Sequence, residues 1–150
     1  MTDRMWEIIA GTRDGVLATI RRDGMPHLSN VYYVADPSTA TIRLSTTTDR
    51  AKGRHLQRDP RAALYVAGED FVKFAVAEGP VSLAIADQPG DAAINELFEV
   101  HRALGAASER TGFDDEMIAN HRMVVRLRVE RVYGLFIDRP RQRPHGAASD

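Results

Sequence analysis

The sequence contains no cysteine. That excludes disulfides, thiolate metal ligands, iron–sulfur clusters and a cysteine nucleophile, and it fits a reducing compartment. Charge of one sign is also lacking: 20 Lys and Arg offset 21 Asp and Glu, for a net charge of −1. The surface as a whole therefore does not attract nucleic acid or an anionic membrane. No stretch approaches the ~20 apolar residues of a membrane helix. The opening stretch MTDRMWEIIAGTRDG carries Asp3, Arg4 and Glu7 and lacks an apolar run followed by a small-residue cleavage site. A secretory signal is not expected, and the cytoplasm is the expected location. There is no Gly-x-Ser-x-Gly elbow, no His-Glu-x-x-His and no Gly-x-Gly-x-x-Gly. His27, His55, His101, His121 and His145 are scattered, with no two at ligand spacing on one predicted helix, so no metal site is expected.

What is present is 150 residues, 43% apolar and 27% charged. That suits one globular domain, long enough to bury roughly 70% of its unfolded surface. Met5, Trp6, Ile8 and Ile9 predict a short amphipathic helix over 3–10. Two β-rich runs, 16–20 and 26–34, flank Asp23-Gly24 and predict a hairpin. A third strand follows over 40–45. A helix over 50–58 has Thr48 or Asp49 as its expected N-cap and Asp59-Pro60 as its stop. Strands are predicted over 62–67 and 71–86, the second bent at Glu78-Gly79-Pro80. A helix over 89–107 turns Ile94, Leu97, Phe98, His101 and Leu104 to one face. A short helix over 114–120 and strands over 123–129 and 132–137 complete the body. Residues 1–138 form one domain, and 139–150 a flexible basic tail. Six or seven strands joined mostly by turns predict a mainly β, antiparallel sheet or barrel.

The densest polar cluster runs from Ser45 to His55, where a strand end meets a helix start. Hydroxyls, free backbone N–H groups and the positive end of the helix dipole converge there. Arg50 and Arg54 are four apart and expected on one helix face, with Lys52 beside them. Such a set suits a phosphate monoester, with Arg as bidentate donor and Lys as point charge. The alternative is a solvated basic face capped by Asp49, whose carboxylate would compete with an anion. No nucleophile-activating pattern stands out. His101 on an apolar helix face reads as a packing residue, and Tyr32, Tyr33 and Tyr133 as strand tyrosines able to donate a proton.

In register, GVLATIRRDGMPHLSNVYYV, TIRLSTTTDRAKGRHLQRDPRAALYV, FAVAEGPVSL and VVRLRVERVYGL resemble the split β-barrel flavin- and deazaflavin-dependent oxidoreductases related to pyridoxamine 5′-phosphate oxidase. The likeness is to the actinobacterial branch that uses coenzyme F420, and it runs from Met5 to Ile137. It implies a six-stranded antiparallel Greek-key barrel with flanking helices, and a homodimer with two cofactor sites at the subunit interface. Arg50 and Lys52 would hold the cofactor phosphate, with Ser45, Thr46 and the backbone of Ala51, Lys52, Gly53 and Arg54 completing that pocket. His27, Ser29 and Asn30 would line the ring system. Relatives often carry glutamine at the place of His27, and, where this chain has Val72 and Phe74, a Trp and a Tyr that pack against the cofactor across the dimer, so the resemblance implies that Phe74 would meet the cofactor. The resemblance implies hydride transfer from reduced F420 to a small electron-poor acceptor such as an enone, a quinone-like compound or a tetrapyrrole. His27, Tyr32 and Tyr33 are the proton-donor candidates, and Arg54, Arg58 and Lys73 are placed to meet an anionic cofactor tail. An FMN-dependent enzyme and a non-catalytic flavin- or tetrapyrrole-binding protein are the alternatives.

Overall fold

The computed structural model describes residues 2–70 and 72–137. The basic tail expected over 139–150 lies outside them. In chain order the elements are α1 (Thr2–Ala10), β1 (Asp14–Ile20), β2 (Pro26–Tyr32), β3 (Val34–Asp36), β4 (Thr41–Thr47), α2 (Ala51–Arg58), β5 (Arg61–Ala67), β6 (Phe74–Ile85), α3 (Ala92–Ala103), α4 (Phe113–Ala119), β7 (Arg122–Arg128) and β8 (Arg131–Leu135). All pairings are antiparallel, in the order β2-β1-β5-β6-β7-β4-β3, with β8 on β6. The curled sheet is a split barrel flanked by helices.

Two strands decide its shape. The first half of β6 pairs with β5 and β8, whereas Val81–Ile85 pair with β7. The change of partner falls at Gly79-Pro80. A Cβ on Gly79 would lie 2.0 Å from the Arg128 carbonyl oxygen, so only glycine lets the two backbones meet there. The apolar run 26–34 is not one strand. It breaks at Tyr33, whose hydroxyl donates to the Ile9 carbonyl at 2.6 Å and ties β2 to α1. This raises the strand count to eight.

The register sorts the side chains. Along β7, Met123, Val125 and Leu127 point into the barrel with Leu17, Ile42, Leu44 and Leu64, and α1 adds Met5 and Ile9. Val124 points outward to a second cluster with Ile94, Leu97, Val100, Phe113 and Met117 of α3 and α4. Two apolar faces on one strand read as the continuous run Met-Val-Val rather than as simple alternation. Helix α3 spans 92–103 rather than 89–107, because Asp91 caps it by accepting from the Ile94 N–H at 2.8 Å.

The outer face of β2, β1, β5, β6 and β8 is left apolar and open. Across it run Asn30–Val16–Tyr65–Val76–Tyr133 and Leu28–Ala18–Ala63. Leu28 is 63% exposed, Tyr32 68% and Tyr133 43%. No helix among the described residues is long and apolar enough to cross a membrane.

Candidate functional site

At the rim of that face, β1, β2, β4, β5 and the start of α2 enclose a cleft of about 540 Å³. Its walls include Val16, Asn30, Tyr32 and Tyr65 on the sheet side and Ser45, Arg50 and Lys52 on the helix side. A cleft of this size, with one apolar wall and a few convergent polar groups, suits a cofactor-sized ligand.

Helix α2 reaches the end of β4 through Gly53. A Cβ there would lie 2.0 Å from the Thr47 carbonyl oxygen, so a larger residue would push the helix start away from the sheet. The expected cap is wrong in its residue: the N-cap is Arg50, extended at φ −73° and ψ 157°, with no side-chain cap. Its N–H donates to Thr47 Oγ1 at 3.3 Å. The Thr47 hydroxyl also holds the Asp49 carboxyl below the usual carboxylate range. Asp49 is thus turned to Thr47 and does not block the helix end.

Because Arg50 precedes the first turn, the four-residue spacing to Arg54 does not place both on one face. Arg50 lines the cleft. Arg54 lines a second concavity of about 380 Å³ with Arg21, Arg22, Asp23, His55 and Arg58. Arg54 Nη1 there donates to the Asp49 carbonyl at 3.1 Å, and Arg58 donates to the Ile20 carbonyl.

Asp14 also lines the cleft, yet among the described residues no carboxylate stands within ion-pair distance of Arg50 and Lys52 there, or of Arg122 behind Ser45. Lys52 Nζ reaches Ser29 Oγ at 3.4 Å. Burial, then Arg50 and Arg122, push the Lys52 ammonium below its ordinary range. Arg122 is pushed down by burial and by Arg50, and its Nη1 donates to Ser45 Oγ at 3.5 Å. Lys52 and Arg122 are half-buried and Arg50 is exposed beside them. Half-buried cations without a paired carboxylate are costly, and a bound anion would relieve that cost.

Sequence reasoning missed Arg122. Its only signal is an arginine at the edge of an apolar strand. The fold brings it behind Ser45, at the back of the cleft, because His121, at φ 55°, turns the chain from α4 into β7. Tyr65 was missed as well. Its ring stacks with Phe74 at 5.6 Å between centroids, so Phe74 supports Tyr65 from beside it on the same face.

The other expected positions divide by strand parity. Asn30 and Tyr32 face the cleft. His27 and Ser29 face inward toward α2, where the His27 ring meets His55 edge-on at 5.1 Å and Nδ1 has no partner. His55 Nδ1 is engaged with Thr19 Oγ1 at 2.9 Å, and burial first and then neighbouring cations hold its imidazole below the usual range. Thr46 is 1% exposed and turned into the barrel, so its side chain is not part of the cleft. Tyr33 is a correction among the donor candidates. It is 1% exposed, its hydroxyl is committed to Ile9, and burial and Asp14 raise its pKa. Ala51 and Gly53 do not line the cleft, and Gly53 is buried against Thr47. Val72 and Lys73 lie off the cleft, in the β5–β6 connection. No cluster of metal-ligating side chains occurs among the described residues.

A split barrel with a cationic strand-end cleft defines a class of domain suited to a phosphate-bearing ligand. The chain matches the pyridoxamine 5′-phosphate oxidase family over residues 1–136 and belongs to that family. Its fold is similar to that of a conserved hypothetical protein from Mycobacterium tuberculosis (25% identity, 89% of this chain and 83% of that one, TM-score 0.66). It is also similar to an F420 reductase (20%, 85% and 94%, TM-score 0.65). An FMN-binding protein from Nostoc punctiforme, related to pyridoxamine 5′-phosphate oxidase, shares the fold too (19%, 87% and 76%, TM-score 0.60). The fold and family are thus those of the pyridoxamine 5′-phosphate oxidase family of oxidoreductases.

Proposed function

We propose that this protein is an F420-dependent oxidoreductase that passes a hydride to a small electron-poor acceptor. The observation that carries the reading is the cleft in which Arg50 and Lys52 stand beside an apolar wall, with Arg122 behind Ser45 and no carboxylate at ion-pair distance from the three among the described residues, although Asp14 also lines the cleft. That donor set fits the phosphate of either F420 or FMN. The second basic concavity favours F420, whose anionic tail needs positive surface leading away from the phosphate. Arg54 and Arg58 lie there on the helix that bears Lys52.

When bound, the deazaflavin supplies the hydride; the chain's own residues bind, orient and exclude water. Arg50 and Lys52 would hold its phosphate. Val16 and Tyr65 offer a flat wall to a ring system, and Asn30 a hydrogen bond. Tyr32, exposed at the cleft, is the proton donor best placed to reach an acceptor.

The protein acts as a homodimer. The open apolar face supports this, since Leu28, Tyr32, Tyr65, Tyr133 and Leu135 cluster on it and a monomer would leave them in water. A second copy on that face would close the cleft. Light scattering on the purified protein is expected to give a dimer mass, and Leu28→Glu a monomer.

Fluorescence titration tests the cofactor. Micromolar binding of F420 with little binding of FMN is expected. The reverse moves the reading to an FMN-dependent enzyme. Tight binding with no oxidation of reduced cofactor across enones, quinones and tetrapyrroles moves it to a carrier.

A further inference from the structure

Behind the cleft wall, Ser45 is held from two sides. His101 Nε2 of α3 stands 2.9 Å from Ser45 Oγ, and Arg122 Nη1 of β7 donates to the same oxygen. Ser45 lines the cleft, whereas His101 and Arg122 stand behind it. Packing explains only part of His101. Its ring meets Phe113 edge-on at 5.5 Å, which any flat side chain would do.

A serine hydroxyl has one proton and two lone pairs. Arg122 cannot accept, so it takes one lone pair. What Ser45 shows to the cleft then depends on His101. If Nε2 accepts, the serine proton goes to the ring and the cleft sees a lone pair, which repels an anion. If Nε2 carries hydrogen, it donates to Ser45, and the serine proton is free to point at a ligand.

We propose that His101 is a positioning residue of the anion site and acts through Ser45: anion binding turns the hydroxyl outward and draws a proton onto His101, and protonation of His101 in turn strengthens anion binding. This rests on the anion-site reading above and adds a pH response to it. The groups that face the ring are Ser45 of β4, Arg122 of β7, and Phe113 and Glu116 of α4, with Arg50 and Lys52 beyond Arg122. Burial and Arg122 hold the imidazole below its ordinary range, while Glu116 pulls the other way. The ring is therefore neutral in the free protein at neutral pH, and a bound anion supplies the countercharge that Arg122 denies it. Binding raises the affinity of His101 for its proton. By linkage, anion affinity rises as pH falls through the bound-state value, and levels off below the free-state value.

The probe is inorganic sulfate, a dianion at every pH used, so that titration of a phosphate does not intrude. Imidazole nitrogen shifts followed by NMR read His101 directly. Saturating sulfate is expected to raise its pKa by about one unit, which corresponds to about tenfold tighter sulfate binding on the acid side than on the alkaline side. In Ser45→Ala the shift should shrink. In His101→Gln, which keeps a hydrogen-bonding side chain, sulfate should still bind with a pH dependence under about twofold. If sulfate binds and the pKa does not move, or if His101→Gln keeps the wild-type pH dependence, this inference falls and the anion site stands. A full shift in Ser45→Ala overturns the relay through the hydroxyl. Wild-type protein that binds neither sulfate nor a phosphorylated flavin overturns both readings.

Discussion

Two groups of arginines share one pair of strands and live in opposite surroundings. Midway along β4 and β7, Arg43 and Arg126 stand directly opposite each other. Both are met by α3: Arg126 Nε reaches both Glu96 oxygens at 2.7 Å, and Arg43 reaches Glu99 at 2.9 Å and Glu96 at 3.7 Å. Arg126, with Arg43 assisting, holds the Glu96 carboxyl below its ordinary range. At the end of the same strands, Arg122 joins Arg50 and Lys52 with no such partner, and burial pushes Arg122 and Lys52 down instead of up. The first group is a finished ion-pair network that clamps a helix to the sheet. The second has no carboxylate at ion-pair distance among the described residues, and the anion proposed above would complete it. Neutralised arginines report on folding, and buried ones without countercharge report on binding.

That contrast can be broken in several ways. Gly53→Ala should do the most, since the new Cβ meets the Thr47 carbonyl at 2.0 Å. A loss of about 4 kcal/mol in chemical denaturation is expected, together with loss of cofactor binding as the helix start is displaced. Arg50→Ala combined with Lys52→Ala should weaken cofactor binding about a thousandfold, on the scale of two lost charge-assisted hydrogen bonds. Thermal unfolding of that variant should be unchanged or slightly later, because like charges are removed. An unfinished site predicts this opposition of effects, and unaltered affinity would end the assignment.

The finished network should respond the other way. Glu96→Gln should leave cofactor affinity within about twofold and lower stability by roughly 1 kcal/mol at neutral pH, discounted because Arg126 is 40% exposed. The pH dependence has a definite sign. The folded-state pKa of Glu96 is depressed, so its contribution is complete above the ordinary value of 4.5 and is lost as pH falls through the folded value. Denaturation curves of wild type and variant should therefore converge in acid. The smallest effect belongs to Arg128→Ala. Its pair with Glu130 is 73% and 59% exposed, and the change should stay within about 0.5 kcal/mol by thermal unfolding.

The hairpin over β1 and β2, the bend at Gly79-Pro80 and the helix that follows Thr47 are all local patterns, and they were legible. So was the pairing of Arg50 with Lys52, because both sit where a strand end meets a helix start. The N-cap was misread because Thr47, not Thr48 or Asp49, takes the hydroxyl role, and the chain is still extended at Arg50. The expected shared face of Arg50 and Arg54 failed for the same reason, since helical spacing holds only inside the helix. Tyr33 was misread because nothing local distinguishes it from Tyr32. One is committed to Ile9 in the core and the other is in water.

By itself the amino-acid order settled what neighbours along the chain can settle: turns, strand runs, a basic helix start and the absence of thiol chemistry. Propensity, periodicity and capping act over a few residues, so they leave a trace that can be read in one dimension. Only the folded sheet decided that Arg122 and His101 stand behind Ser45, and that Asn30 faces the cleft while Ser29 faces inward. It also left one outer face apolar and open. Those facts depend on strand register, where a one-residue slip exchanges the two faces, and register is fixed by packing between segments far apart in the chain.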